Sequence, residues 1–291
     1  AALGQGLLVF LRHHGLVYCG RHRFELLYMG IGVEEACHEA LIASGAEVIG
    51  WDRQDIAREP FQGRCRLIDP LELDLTGFAG VVVSPGVPLN SHPIGPHAWQ
   101  YGLPVIGDIE LFAQARAALP PHKVVGITGT NGKSTTTALV HHILSQAGVP
   151  CVMGGNIGDP ILAQEPLPEG GVYVLELSSF QIDLTFTLDC DIAALTNITP
   201  DHLDRYAGFE AYAASKERLF AMQASGTALV CDEDAPTRAI AHRLAAEGKP
   251  LVRFKTDDLA AAGLAHGRSA SLAGPRHEVD GVQSAVGHHE H

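Results

Sequence analysis

An α/β fold built on parallel sheets is what this sequence predicts, and three observations carry that expectation. Short apolar runs alternate with helix-periodic stretches along most of the chain, the pattern of strands joined by crossover helices. Two of the runs, 172–177 and 192–195, are almost continuously apolar, as strands covered on both faces must be. A glycine-rich segment, Thr128-Gly-Thr-Asn-Gly-Lys-Ser-Thr135, falls where a strand passes into a helix, at the carboxyl edge where such sheets bind ligands.

Taken in order, residues 10–30 mix His, Arg and aromatic side chains without a period. Residues 34–44 predict a helix stopped by Gly45, a residue suited to the left-handed conformation beyond a helix end. Residues 46–49, 80–83 and 105–106 are strands of a first unit, and 115–122, with Pro120-Pro121, reads as a linker. Domains are therefore expected at 1–118 and 119–291, and the length suits about two. In the second, 123–127 is a strand and 134–147 a helix with Leu139, Val140, Ile143 and Leu144 on one face, stopped by Gly148. Strands at 172–177 and 192–195, a helix at 209–223 and a strand at 227–230 complete the pattern. Beyond residue 265 the chain turns to Gly, Ser, Arg and His. There is no internal repeat.

Composition narrows the partners. Against 33 acidic residues stand 20 basic ones, a net charge of −13, which repels nucleic acid and anionic membrane. An anionic ligand then needs local donors: helix N-termini, glycine-rich loops or a metal. The six cysteines are scattered without a Cys-x-x-Cys pair, as reduced thiols of a cytoplasmic protein are. No stretch reaches the roughly 18 apolar residues of a membrane span, so no membrane insertion is expected.

The glycine-rich segment carries the chemistry. Backbone N–H groups at the helix start, with the helix dipole, form an anion site. Gly129 and Gly132 let the backbone approach phosphates, Lys133 reaches their terminal oxygens, and the hydroxyl of Ser134 or Thr135 suits Mg²⁺. The strict pattern G-x-x-x-x-G-K-[ST] asks for glycine at 127, where this chain has Ile127, so the loop is a variant. Glu176 ends an otherwise apolar strand, and an acid there is costly to bury without a cation or metal; the plain alternative is a strand-end carboxylate reaching solvent. His202 follows the next strand, between Asp201 and Asp204, and is a candidate ligand. Lys216, beside Glu217 in a helical stretch, reads by itself as a solvated surface residue.

These strings, with Gly154-Gly-Asn-Ile-Gly158, Leu175-Glu-Leu-Ser-Ser-Phe-Gln181, Asp201-His-Leu-Asp-Arg-Tyr206 and Ala214-Ser-Lys216, resemble the Mur ligases of peptidoglycan synthesis. Val83-Ser-Pro-Gly-Val87 and Ile106-Gly-Asp-Ile-Glu-Leu-Phe112 resemble the branch that extends its precursor with D-glutamate. The resemblance covers residues 45–230 and implies an N-terminal Rossmann-like parallel-sheet domain followed by a P-loop ATPase-type central α/β domain. It implies a monomer in which ATP phosphorylates the carboxylate of UDP-N-acetylmuramoyl-L-alanine, and the amine of D-glutamate displaces the phosphate to form an amide.

On the same footing, Thr128, Gly129, Thr130, Asn131, Gly132, Lys133, Ser134 and Thr135 would hold ATP. Lys133, Glu176, His202 and Lys216 would be the catalytic set. Ser134, Glu176, His202 and Lys216, the last as a carbamate, would hold Mg²⁺. Asn156, Ser178 and Gln181 would position the UDP substrate, Ser84, Pro85 and Gly86 would line the UDP site, and Asp52 would face uracil.

The pattern departs from the family in two places. Gly30-Ile-Gly-Val-Glu-Glu35 stands where a glycine-rich loop is usual, with Glu34 and Glu35 placed against a diphosphate, and Arg53 replaces a small hydroxyl residue. Leu272-Ala-Gly-Pro-Arg-His-Glu278 echoes an adenine-binding linker without its asparagines, and a third, amino-acid-binding domain does not follow. The sequence is therefore expected to be a truncated or frame-disturbed form of the ligase. Two other readings stand beside it: a nucleotide-binding module without turnover, and a folylpolyglutamate synthase, whose loop has Gly-Lys-Gly-Ser in place of Gly132-Lys-Ser-Thr135.

Overall fold

The computed structural model of the chain describes residues 37, 40, 49–52 and 55–255. Cys37 and Ala40 are helical, within the helix expected at 34–44. The glycine string at 30–35, Arg53 and the stretch 272–278 lie outside the described residues.

In the first lobe β1 (Ile49–Gly50) pairs in parallel with β2 (Arg66–Leu67), and β3 (Val81–Val82) with β4 (Val105–Ile106). Parallel pairing agrees with the expected α/β class, but the strands form two separate two-residue pairs. Proline limits the second pair: Pro85 lies just beyond β3 and Pro104 just before β4, and neither has an N–H for a ladder. Helices α1 (Asp55–Arg58), α2 (Ile94–Gln100) and α3 (Asp108–Ala115) accompany these strands. Phe61, Val81, Val83, Ile94, Ile106 and Leu111 belong to one buried cluster.

Residues 115–122 are not a free linker. They contain a 3₁₀ turn, Arg116–Ala118, and Arg116 donates to the His122 ring and to the Asp189 carbonyl. His122 already opens the next strand.

The second lobe is a six-stranded sheet in the order β10-β9-β8-β5-β7-β6. Its strands are β5 (His122–Thr128), β6 (Cys151–Gly155), β7 (Gly171–Glu176), β8 (Ile192–Leu195), β9 (Thr227–Cys231) and β10 (Leu251–Phe254). The pairings β5–β7, β5–β8, β6–β7 and β8–β9 are all parallel. Four helices belong to this lobe: α4 (Lys133–Gln146), α5 (Ser179–Asp183), α6 (Phe209–Ala221) and α7 (Ala235–Ala246). β7 is buried at all six positions, which is why its sequence reads as one apolar run.

Chain order reverses around β5, whose neighbours are β7 on one side and β8 on the other. A crevice therefore opens at its carboxyl end. Register places four strand ends there together: Ile127 opposite Glu176, Gly155 opposite Glu176, and Thr128 opposite Leu195.

The apolar face of α4 differs from the expected one. Val140 and Leu144 pack with Ile127, Val174 and Ala194, whereas Leu139 and Ile143 are 54% and 56% exposed. The inward direction is set by fully buried Thr137, which shares a helix face with Val140 and Leu144 at i+3 and i+7. Beside this helix a cavity of about 700 Å³ runs along β5, β8 and β9, with Val125, Val140, Leu144 and Leu229 in its wall. It contains none of the site residues expected from the sequence. Among the described residues no helix is long and apolar enough to cross a membrane.

Candidate active site

The loop after β5 is held open by glycine and braced from one side. Gly129 has φ +147° and Gly132 φ +79°, values that L side chains rarely adopt. A Cβ on Gly129 would lie 2.0 Å from Thr196 Oγ1, so the loop and the segment after β8 touch backbone to side chain. Ile127, where the strict motif wants glycine, is an ordinary buried position of β5, and the close approach is made at Gly129.

Asparagine and threonine fix that approach. Asn131 N–H donates to Asn197 Oδ1, and Asn197 Nδ2 returns a bond to the Asn131 carbonyl, both at 2.9 Å. Thr196 Oγ1 donates to the same carbonyl, and Thr130 N–H donates to the Asn197 carbonyl. Thr130 Oγ1 sits 3.1 Å from the Tyr212 hydroxyl. Thr196, Asn197 and Tyr212 were not singled out from the sequence; the signal available was Asn-Ile-Thr following an apolar strand.

Helix α4 starts at Gly132 with no side-chain cap. Its first-turn N–H groups therefore remain directed at the loop, where an anion is favoured. Ser134 and Thr135 are exposed on that turn. Lys133 lies folded onto its own loop, Nζ donating to the Thr130 carbonyl at 2.9 Å. Thr128 is buried, and its hydroxyl is taken by the Leu177 carbonyl at 2.8 Å.

Glu176 does not reach solvent. It is 1% exposed; Oε1 accepts from Asn156 Nδ2 at 3.0 Å, and Oε2 is buried without a hydrogen-bond partner. Gly155, with φ +94°, lets β6 and the following Asn156 come close, since a Cβ there would stand 2.2 Å from the Glu176 carbonyl oxygen. A buried carboxylate oxygen left unpaired is costly, and a cation or a hydrogen-bond donor would satisfy it.

Lys216 corrects the surface reading. It is 1% exposed, on the inner side of α6, with Nζ donating to the Gly129 carbonyl at 2.9 Å and lying 4.7 Å from the Tyr212 ring centroid. Burial first, and the nearby charge of Lys133 second, push its ammonium down from the usual lysine value to about 7.

His202 is half-exposed, 3.5 Å from Asp201 Oδ2, with φ +50°. A β-carbon in that conformation is strained by about 1 kcal/mol or more. The turn is closed by Arg205 N–H to the His202 carbonyl, and the imidazole lies against Phe180 with centroids 4.9 Å apart. Phe180 also packs under the Arg205 guanidinium at 4.3 Å and stacks on Tyr206.

Ser178 and Gln181 satisfy each other as a capping box for α5: Gln181 N–H donates to Ser178 Oγ, and Ser178 N–H to Gln181 Oε1. Gln181 is buried, and beside it Asp108 is a buried acid whose Oδ1 has no hydrogen-bond partner and which desolvation pushes up to about 6. In the first lobe Asp52 and Ser84 are buried, and Pro85 and Gly86 half-buried. Arg205 reaches across from the second lobe to the Pro85, Gly86 and Val87 carbonyls.

The structure thus gathers the loop 128–135, Asn156, Glu176 and Lys216 at one sheet edge, with His202 set beside them through Phe180. Among the described residues no three of His, Cys, Asp and Glu converge on a metal-sized point. A bound cation would have to draw on Glu176, a hydroxyl, and groups brought by the ligand.

Comparison with known proteins identifies the family. The family profile described as the Mur ligase middle domain matches residues 127–281, more than half of the chain. A UDP-N-acetylmuramoylalanine--D-glutamate ligase of Novosphingobium aromaticivorans is 72% identical over 185 residues, covering 64% of this chain and 42% of the relative. The protein of the same name from Sphingopyxis alaskensis is 64% identical over 208 residues, covering 71% and 48%. The crystal structure of UDP-N-acetylmuramate:L-alanyl-gamma-D-glutamyl-meso-diaminopimelate ligase from Neisseria meningitides aligns with a TM-score of 0.47 at 21% identity, covering 73% and 71%. The chain spans about half the length of the curated relatives it matches. With its profile match running from the phosphate-type loop through Glu176, His202 and Lys216, the chain belongs to the Mur ligase family.

Proposed function

We propose that this chain carries the ATP-binding and UDP-substrate-binding parts of a cytoplasmic ligase that adds D-glutamate to UDP-N-acetylmuramoyl-L-alanine. One observation carries the reading: an uncapped helix start and a buried lysine meet one glycine loop, and a buried carboxylate with an unpaired oxygen stands at the end of the strand beside β5. The names of the relatives at 72% and 64% identity support the choice of substrates.

A carboxylate is a poor electrophile, so the reaction needs a leaving group before an amine can attack. In this reading the α4 N-terminus and the 129–132 backbone receive the phosphates of ATP. Lys133 exchanges the Thr130 carbonyl for a phosphate oxygen, a swap of one hydrogen bond for a stronger charge-assisted one. Glu176 and the Ser134 hydroxyl would hold one magnesium ion and His202 would serve a second, and when bound these ions would supply charge stabilisation for the transferring phosphoryl group. Transfer of the phosphoryl group gives an acyl phosphate, and the D-glutamate amine then displaces phosphate to leave the amide.

Lys216 has a place in this chemistry as a carbamate. Near pH 7 about half of its amine is neutral if it titrates at about 7. A neutral amine attacks the carbon of CO₂, forms the C–N bond and loses one proton, leaving an anion in place of a cation. A Lys216→Ala variant that regains activity with short carboxylic acids supports this, and one with unchanged activity removes it. Asn156, Ser178 and Gln181 would then set the muramoyl end, Ser84, Pro85 and Gly86 the diphosphate end, and Asp52 the uracil. A coupled ADP-release assay on the chain with ATP, Mg²⁺, UDP-N-acetylmuramoyl-L-alanine and D-glutamate tests the whole. Glutamate-dependent ADP is the expected result, and its absence with folded protein sinks the claim for this chain.

A further inference from the structure

We propose that Arg205 is a positioning residue that holds the UDP-facing loop 84–87 in register with the His202 turn. The proposal rests on the reading of Ser84, Pro85 and Gly86 given above, and adds a residue to it. Arg205 Nη1 donates to the Gly86 carbonyl at 3.1 Å; Nη2 donates to those of Val87 at 2.7 Å and Pro85 at 3.4 Å. Three successive carbonyls of one loop are gathered by one guanidinium. The planar fork is kept flat by the Phe180 ring beneath it.

The other end of the same residue closes the His202 turn. Arg205 N–H donates to the His202 carbonyl at 2.9 Å, closing a turn in which His202 holds a left-handed conformation. Loop 84–87 and the turn 202–205 are therefore joined through a single residue, more than 110 positions apart in sequence. Few other contacts do this work here. Asn90 Nδ2 donates to the Asp204 carbonyl at 3.4 Å. Between them lies a cavity of about 110 Å³ walled by Pro85, Leu89, Asn90, Phe180 and Tyr206, room for a few waters at about 30 Å³ each. Beside these hydrogen bonds Leu184 of the second lobe is buried in the first lobe's apolar cluster with Val87, so removing the guanidinium frees the loop while that packing stays in place.

Two measurements on the full chain test the assignment in Arg205→Ala and Arg205→Lys. Calorimetric titration with UDP-N-acetylmuramoyl-L-alanine should show Kd raised at least tenfold in Arg205→Ala, with Kd for Mg·ATP within about twofold of wild type. Lysine should recover only part of the loss, because an ammonium cannot lie flat on Phe180 and fork to three carbonyls. Hydrogen exchange should become faster at 84–92 and 202–206 and stay unchanged in β5 and α4. Unchanged exchange at 84–92, equal losses for both ligands, full rescue by lysine, or unaltered UDP-substrate affinity in Arg205→Ala would each overturn the proposal. If wild type binds no UDP substrate, the reading of the first lobe fails, and the exchange measurement alone decides whether Arg205 couples the two loops.

Discussion

Glu110→Ala should weaken the chain through its inter-lobe contact and not through the phosphate loop. Glu110 lies on α3, 2% exposed, and its two oxygens accept four hydrogen bonds. Oε2 takes the N–H groups of Phe186 at 2.7 Å and Thr187 at 2.9 Å; Oε1 takes Thr187 Oγ1 at 2.7 Å and Gln114 Nε2 at 3.0 Å. Three of these bonds span 76 or 77 residues, so they fasten the first lobe to the segment after α5. Bonds to an ionised group contribute about 1.5–3 kcal/mol each when buried. Here Phe186 and Thr187 are exposed residues that water can reach in the variant, and bonds sharing one carboxylate are not additive. The loss for alanine is then about 3 kcal/mol, or a fall in Tm of about 6–12 °C for a unit of this size. Glu110→Gln keeps the shape but turns an NH₂ group toward donors, and should lose about 2 kcal/mol. Thermal and urea unfolding followed by circular dichroism read both. A Glu110→Ala Tm within about 2 °C of wild type would show that the four bonds are replaced by water at no net cost, and the argument would fail.

Gly129→Ala should abolish nucleotide binding and lower stability, because the new methyl meets Thr196 Oγ1 at 2.0 Å in a backbone conformation with φ +147°; Gly132→Ala, with nothing within 4 Å, carries only the backbone penalty of about 1 kcal/mol. Equal melting curves for the two variants would contradict this. Asp108 gives a pH signature. Its folded value of about 6 lies above the ordinary 3.8, so its contribution is fully present below about 3.8 and is lost as pH rises through about 6. The difference between wild type and Asp108→Asn should therefore change by up to about 3 kcal/mol between pH 4 and 7, with wild type losing ground as pH rises. Urea titrations at several pH values that run parallel for the two proteins would remove Asp108 as the cause.

The elements that could be read in advance were those whose pattern is dictated locally. β7 is buried throughout and β8 at Ala193, Ala194 and Leu195, so hydrophobicity alone marks them, and the expected 192–195 matches β8 to the residue. The loop 128–135 was legible because glycine, lysine and hydroxyl residues must fall at fixed offsets for backbone to approach an anion. β6 was missed because it ends in Gly154-Gly155, residues that weaken a strand signal and here make room for Glu176. α7 was missed as well; its alanine-rich sequence has only a modest apolar face, and its start is fixed by Asp234 capping Thr237 N–H. Lys216 could not be placed from its neighbours, since a lysine beside Glu217 reads as surface, and only the approach of Gly129 shows that it is buried. Arg205, Glu110 and Asn197 share this character. Their partners are distant in sequence, and one chain without its contacts gives them no pattern.

Charge placement fits the proposal that a chain of net charge −13 receives the phosphates of ATP. Lys133 donates to the Thr130 carbonyl, Lys216 to that of Gly129, and Arg205 to those of 85–87. Among the described residues none of these three forms an ion pair, whereas Lys123, Arg243 and Arg253 pair with Asp191, Glu217 and Asp232. A carbonyl satisfies a donor without cancelling its charge. An incoming anion then competes with a neutral acceptor, at about 1 kcal/mol, and not with a carboxylate whose removal from a buried pair costs about 3–5 kcal/mol. The same logic limits Lys216. Turning it into a carbamate would add an anion where Asp201 and Asp183 already act on the lysine and would remove one of the three cations, a change that a bound divalent ion would offset. Carbon dioxide and metal should therefore bind with positive cooperativity, each raising the affinity for the other by the same factor.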